Sequence, residues 1–349
     1  MIGFSEDLLN WYDINKRDLP WRNTSNAYYI WISEIILQQT KVVQAIPYYF
    51  KFISCYPNIE DLANADQDDV LKLWEGLGYY SRARNLHYTA KYIVDNYKGE
   101  FPRHYQNLLS LKGVGPYTAA AIASFAFNLP YAVLDGNVIR FLSRFYGISV
   151  NANTNKGKKE FQKLAQNILD KEKPNKYNQA IMEFGALQCR PVAIPNCDIC
   201  PMINSCFAFN KNQIKDFPVK SKKTKIRIRY LHFFIINTND CIYIKRRDKG
   251  IWNGLYEFPF IEFKEDFSIS MIKESDVFKN FFDNSIFNIN LISIEYKHKL
   301  SHQIIFARFW HINSNSFINQ DYIKVNQKEV LNYPFPTLIL NYLNSRNIK

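Results

Sequence analysis

Through the first half of the chain, apolar side chains return every three or four positions: Leu8, Trp11 and Tyr12; Ile30, Ile35 and Leu37; Val42, Ile46 and Tyr49; Leu71 and Trp74. That period lines them up on one face of a helix. Further helices are predicted over residues 82–97, 117–127, 137–146, 158–169 and 177–187, with Pro57-Asn58 and Gly99-Glu100-Phe101-Pro102 as breaks. The pattern then changes. Residues 230–236 and 241–245 are rich in β-branched and aromatic side chains and flank Asn237-Thr238-Asn239-Asp240, which reads as a hairpin. Residues 304–310 form another strand candidate and 268–282 a helix candidate. The expected fold class is an all-α region followed by a smaller α+β domain.

A length of 349 residues suits two domains, each large enough to bury a core. A hydrophobic content of 47% with 22% charged residues marks a globular chain rather than a disordered one. No apolar run reaches the length of a membrane span, since Ser33 and Glu34 interrupt even the stretch from Ile30 to Leu37. The start, MIGFSEDLLNWYD, lacks a basic segment followed by an apolar one, so no export signal is expected and the location is cytoplasmic. The formal charge of +12 is concentrated: residues 211–229 carry eight basic groups against Asp216 alone. With Pro218, Ser221 and Thr224, this strip reads as a linker between domains at 1–210 and 230–349. It is suited to phosphates or is simply a solvated tether.

Candidate chemistry gathers in three places. Cys189, Cys197, Cys200 and Cys206 have the spacing C-x7-C-x2-C-x5-C, so the loop 189–206 reads as a metal centre rather than a disulfide framework. Zinc and a [4Fe–4S] cluster would both be satisfied by four thiolates. The isolated Cys55 and Cys241 are expected to be buried small hydrophobes. Leu111-Lys112-Gly113-Val114-Gly115-Pro116 is a tight turn leading straight into a helix. Its free N–H groups would suit a phosphate, although a plain junction between helices has the same pattern. Asp135 closes the apolar run Val133-Leu134 just before a helix, a capping position that is also compatible with catalysis. Glu34 lies among Ile30, Trp31, Ile35, Ile36 and Leu37; if it faces inward its pKa should rise, and if outward it is an ordinary surface glutamate.

The Leu-x-Gly-x-Gly hairpin, the downstream Asp135 and the four-cysteine loop together resemble the helix-hairpin-helix DNA glycosylases of the endonuclease III superfamily, and within it the MutY-type adenine glycosylases. Asp18-Leu19-Pro20-Trp21-Arg22, the segment from Trp31 to Thr40 and the segment from Gly76 to Leu86 extend the resemblance over residues 5–207. The second half resembles the family more thinly, through the segments from Gly250 to Pro259 and from His298 to His302. The family usually places six residues between its first two cluster cysteines, whereas seven separate Cys189 from Cys197 here.

The resemblance implies a base-excision enzyme with a [4Fe–4S] cluster, acting on double-stranded DNA with adenine opposite 8-oxoguanine or guanine. It implies a monomer with no membrane association. Glu34 aligns with the catalytic acid, Asp135 with the stabiliser of the cationic sugar, and Asn137 with a neighbour that positions Asp135 or water. Trp21, Arg22 and Gln179 would read adenine. Gln39, Leu77 and Tyr79 would hold the opened duplex, and Gly113 and Gly115 the phosphates. Tyr117 stands where the strand-cutting relatives carry a lysine, and a phenol cannot form an imine. The expectation is therefore a monofunctional glycosylase. The second domain resembles a Nudix fold without the glutamate-rich Nudix box, and Leu300, Ser301 and His302 would meet 8-oxoguanine. Two rivals are a bifunctional glycosylase for pyrimidine lesions, opposed by Tyr117, and a non-catalytic iron–sulfur DNA sensor, opposed by the pairing of Glu34 with Asp135.

Overall fold

The computed structural model describes residues 2–192, 195–219, 226–282, 287–314 and 320–346. The N-terminal half is helical: α1 (Ile2–Asn15), α2 (Ala27–Leu37), α3 (Val42–Cys55), α4 (Ile59–Asn64), α5 (Gln67–Leu73), α6 (Ser81–Tyr97), α7 (Tyr105–Ser110), α8 (Pro116–Phe127), α9 (Gly136–Tyr146), α10 (Asn155–Ile168), α11 (Pro174–Leu187) and α12 (Phe207–Asn210). Polar caps start several of them. Asn26 Oδ1 accepts from the Tyr28 N–H at 2.9 Å at the head of α2, and Thr154 Oγ1 accepts from the Gly157 N–H at 3.0 Å at the head of α10.

Packing divides the chain into two units, residues 1–64 with 85–222 and residues 65–84 with 223–349. The sequence reading carries the whole of 1–210 as one domain, whereas 65–84 groups with the sheet. Polar anchors hold it there. Tyr256 donates to Asp68 Oδ2 at 3.1 Å, the Phe335 N–H donates to Glu75 Oε1 at 3.1 Å, and Arg246 pairs with Asp68 at 2.8 Å.

In the helical unit α2 packs on α3 and α8, and α11 packs on α1, α8 and α9. Trp11, Tyr12, Phe141, Phe161, Tyr177 and Phe184 are the large buried side chains where α11 meets α1 and α9, with the Trp11 and Phe184 rings 4.8 Å apart edge to face. α2 is buried from Ile30 to Ile36, so Ser33 and Glu34 have no solvent face to occupy. Cys55 corrects one expectation: it is exposed, because it ends α3 beyond Phe52, the last buried position of that helix.

The sheet unit is built on β1 (Arg227–Thr238), which starts inside the stretch read as linker. The centre of that stretch, residues 220–225, lies outside the described residues. β1 pairs antiparallel with β2 (Cys241–Arg246) through Thr238↔Cys241, and Asn239 and Asp240 form the two-residue turn with φ of 50° and 60°. Strands β3 (Tyr256–Glu257), β4 (Phe260–Phe263), β5 (Phe287–Ile292), β6 (Tyr296–Lys299), β7 (Gln303–Ser314) and β8 (Ile323–Asn326) complete the sheet, with β1 and β7 parallel from Arg227↔Gln303 to Asn237↔Asn313. Alternation decides the layers. Leu231, Phe233 and Ile235 face a core shared with α15 (Thr337–Ser345), while Phe234 and Ile236 face one shared with α13 (Ile269–Glu274) and α14 (Asp276–Phe282). The single helix predicted over 268–282 is two, because the Ser275 hydroxyl accepts from the Phe278 N–H and starts a new helix there. No helix among the described residues is long and apolar enough to cross a membrane.

Candidate active site

A cavity of about 730 Å³ opens in the helical unit, lined by the first turn of α8, the head of α9, α2, α11 and the Leu19–Arg22 segment. Glu34 and Asp135 both face it, together with Trp21, Arg22, Gln39, Gly113, Gly115, Tyr117, Asn137 and Gln179. The fold thus brings all four expected catalytic residues and all three expected adenine readers to one place. Leu77 and Tyr79 belong to the other unit, as do Leu300, Ser301 and His302.

Glu34 is 4% exposed, and its Oε2 atom has no hydrogen-bond partner among the described residues. Burial pushes its pKa up to about 7; a hydrogen bond from the Tyr117 phenol and the charge of Arg22 pull it down, while Asp135 adds to the rise. A carboxylic acid in such a setting keeps its proton near neutrality. Burial lifts the Tyr117 phenol well above its ordinary range, so it stays neutral, and its hydroxyl lies 3.8 Å from Met182 Sδ.

Asp135 is placed differently. As the N-cap of α9 its Oδ1 accepts from the N–H groups of Asn137 at 2.9 Å and Val138 at 2.8 Å, while Oδ2 accepts from Asn137 Nδ2 at 2.6 Å. Burial raises its pKa above the usual carboxylate value, and the same three donors with Arg140 oppose the rise. All three hydrogen-bond partners are donors, which suits the ionised form. Arg140, one helical turn on, grips Asn137 Oδ1 at 2.9 Å and is itself anchored on the carbonyls of Gly185 at 2.6 Å and Cys189 at 2.9 Å. A side chain at Gly185 would meet the Asn137 carbonyl at 2.6 Å, so glycine there allows α9 and α11 to touch.

A second glutamate in the cavity shows the opposite environment. Glu183, with a side chain 1% exposed, takes bidentate contacts from Arg17 at 2.6 and 2.8 Å and from Arg22 at 2.7 and 3.1 Å. Burial alone would raise its pKa, yet the two guanidinium groups hold it down to about 2. Sequence reasoning missed Glu183, Arg17 and Arg140. The one available signal was an acid inside the apolar run Ile181-Met182-Glu183-Phe184. Trp21 is buried edge to face with Tyr49 at 5.4 Å. Gln39, at φ 58°, is exposed on the rim.

At the hairpin, Gly113 has φ +83°, and a Cβ there would meet Asn85 at 2.8 Å. Gly115 caps α8 with Pro116 as its first residue. Lys112 lies over the Tyr88 ring, its amine 4.3 Å from the centroid.

Cys189, Cys197, Cys200 and Cys206 all line one further cavity of the helical unit with Phe141, Phe184 and Met202, and none is in a disulfide. Arg144 Nη1 stands 3.5 Å from Cys189 Sγ. Four free thiols around a shared apolar hollow fit a thiolate-held centre. Among the described residues, however, no three His, Cys, Asp or Glu side chains are gathered tightly enough to hold a single metal ion.

In the sheet unit a cavity of about 530 Å³ lies between Gly76–Ser81, Gly250–Trp252 and the β6–β7 turn. Ser301 and His302 form the tip of that turn, exposed, with Ser301 Oγ 3.1 Å from His302 Nδ1 and the Leu300 N–H donating to the Gln303 carbonyl. Tyr79 is 46% exposed at φ 48°, whereas Leu77 is buried.

A glycine hairpin, a helix-capping aspartate and a buried glutamate thus share one helical unit, and the comparisons say which family of chains it is similar to. Residues 32–169 match the HhH-GPD superfamily of base excision DNA repair proteins, and residues 231–345 match the NUDIX domain family. The chain is 39% identical over 317 residues to the adenine DNA glycosylase of Buchnera aphidicola subsp. Baizongia pistaciae, covering 87% of this chain and 84% of that one. It is 37% identical to the adenine DNA glycosylase of Arabidopsis thaliana, over 74% of this chain and 47% of that one. Among solved structures, a thermostable thymine-DNA glycosylase superposes with a TM-score of 0.56 at 32% identity, covering 60% of this chain and 96% of that one. A non-covalent endonuclease III–DNA complex, at 22% identity and a TM-score of 0.52 over 60% of this chain and 97% of that one, shares the fold. The chain belongs to the adenine DNA glycosylase family.

Proposed function

We propose that this protein excises adenine paired with 8-oxoguanine, or with guanine, from duplex DNA by acid-assisted hydrolysis and leaves an abasic site. The observation that carries the reading is the buried Glu34 carboxyl, its Oε2 atom without a partner among the described residues, facing the same cavity as the helix-capping Asp135. Glu34, protonated below about pH 7, donates to adenine N7 and makes the base a better leaving group. Asp135, ionised and held by Asn137, stabilises the positive charge that develops on the sugar. Tyr117 keeps a neutral hydroxyl beside Glu34 and offers no amine for a Schiff base, so excision is monofunctional.

The target base leaves the stack to reach this cavity. Trp21, Arg22 and Gln179 line its destination. Gln39 of the helical unit and Tyr79 and Leu77 of the sheet unit support the opened duplex; Gln39 and Tyr79 are exposed and have positive φ. The Gly113–Gly115 hairpin, Lys112 and the basic stretch 211–229 take the phosphates, so affinity falls as salt rises. Leu300, Ser301 and His302 read the 8-oxoguanine. The four cysteines hold a [4Fe–4S] cluster. The cysteines are not gathered tightly enough among the described residues to hold a single metal ion, which favours the larger group, for which Cys189, Cys197, Cys200 and Cys206 would supply the four thiolates.

The test is a labelled duplex with adenine opposite 8-oxoguanine, quenched with and without alkali, beside duplexes with A:G, A:T and an oxidised pyrimidine. Cleavage of the adenine strand only after alkali, strongest opposite 8-oxoguanine, is the expected result. Cleavage without alkali or at the pyrimidine would place the protein on the strand-cutting branch. Binding without cleavage by folded protein would make it a sensor.

A further inference from the structure

Gln179, on the wall of the active cavity, is not free to turn its amide. Its Nε2 donates to Asn175 Oδ1 at 2.5 Å, one helical turn earlier on α11. Asn175 in turn donates through Nδ2 to the Phe125 carbonyl at 3.1 Å. On the other side, Gln179 Oε1 accepts from the Tyr12 hydroxyl at 2.9 Å. The chain of bonds is polarised from one end. A backbone carbonyl can only accept, so Asn175 presents its NH₂ to Phe125 and its oxygen to Gln179. Gln179 then presents nitrogen to Asn175 and oxygen to Tyr12. One N–H and one lone pair of its amide remain for the cavity, in a fixed order.

We propose that Asn175, backed by the Phe125 carbonyl and assisted by Tyr12, is a positioning residue that locks the Gln179 amide in the order that adenine matches and 6-oxopurines do not. The inference rests on the adenine reading of this site. Adenine offers a donor at N6 beside an acceptor at N1 or N7. Guanine and hypoxanthine reverse the first pair, with an acceptor at O6 and a donor at N1, and they present two acceptors at O6 and N7. A freely turning amide serves the reversed edge as well as the adenine edge. The locked one does not, because turning it sets Oε1 against Asn175 Oδ1. The two anchors differ in strength. A tyrosine hydroxyl both donates and accepts, so Tyr12 would tolerate a turned amide, whereas Asn175 could follow only by facing its oxygen to the Phe125 carbonyl. Asn175 therefore carries most of the discrimination.

The experiment compares single-turnover excision of adenine and of hypoxanthine, each opposite 8-oxoguanine, in the full-length wild-type chain and in Asn175→Ala, Asn175→Asp, Tyr12→Phe and Lys176→Ala. Asn175→Ala lowers the adenine-to-hypoxanthine ratio on the order of tenfold, the equivalent of one hydrogen bond. Asn175→Asp keeps an oxygen toward Gln179 and restores most of the ratio. Tyr12→Phe changes it less than Asn175→Ala, and Lys176→Ala, which loses only an exposed pair with Asp13, leaves it unchanged. A parallel fall in both rates with the ratio intact, in the alanine and aspartate variants alike, would make Asn175 merely structural and overturn the lock. Absence of adenine excision by the wild-type protein would instead overturn the adenine reading, and the lock with it.

Discussion

Glu34 in the helical unit and Ser301 in the sheet unit are both placed at cavities, yet their surroundings differ in kind. Glu34 is 4% exposed on a helix buried along one continuous run, beside a glutamate pinned by two arginines and an aspartate capped by three donors. Ser301 stands exposed at a hairpin tip, bonded only to its neighbour His302 among the contacts described for it, with Gly76, Gly78 and Gly250 on the opposing walls. The first cavity fixes protonation states before any ligand arrives, which is what bond breaking requires. The second leaves its polar groups in water until a surface covers them, which suits recognition of a base still held in a duplex.

The contrast predicts a descending series of effects. Glu34→Gln, which removes the acid and keeps the shape, should lower single-turnover adenine excision by about 10³-fold while duplex affinity is retained. Appreciable turnover by that variant would dissolve the contrast at its centre. Asp135→Asn should cost on the order of 10²-fold or more in the same assay, with a loss of stability no larger than about one hydrogen bond, because asparagine still caps the helix but sets its NH₂ against Asn137 Nδ2. A large loss of stability instead would show that capping, not charge, is what the position supplies.

Acidity gives the next effect. Because burial raises the Glu34 pKa to about 7, the protonated form prevails below that pH and is lost above it. The excision rate should be level through mild acid and fall about tenfold per unit once the pH is well past 7. A rate that climbs through this window would mean that Glu34 works as a base. Ser301→Ala should produce the smallest change, a loss of about threefold to tenfold in the preference for A:8-oxoguanine over A:G, with the A:G rate itself unchanged. An equal loss on both duplexes would move Ser301 from recognition to general binding.

Much of the helical unit is legible in the chain because its signals are local. Asp135 caps the helix that the pattern places at 137–146, and Gly113 takes the positive φ that a tight hairpin needs. The hairpin between 230–236 and 241–245 forms with its turn at Asn239-Asp240. Where several long-range demands compete, the pattern falls short. Strands β5, β6 and β8 are four to six residues long and only Val325 among them is buried, so each carries too little apolar surface to stand out. The helix over 268–282 breaks at Ser275, since a hydroxyl there can cap a new start as easily as it can sit within a helix.

The sequence by itself determined which chemistry is possible: two carboxyls, a hairpin, four closely spaced thiols and a phenol beside the hairpin. Periodicity and spacing carry such information because they act over a few residues. Tertiary structure alone decided the charge states. Glu34 and Glu183 are the same residue type, both within apolar helical runs, and nothing local tells them apart. Arg17, 166 residues away in the chain, and Arg22 hold one of them ionised. The other meets an apolar wall and a phenol, and keeps its proton up to about pH 7. A pKa depends on what lies within a few ångströms in space, and only folding brings those neighbours together.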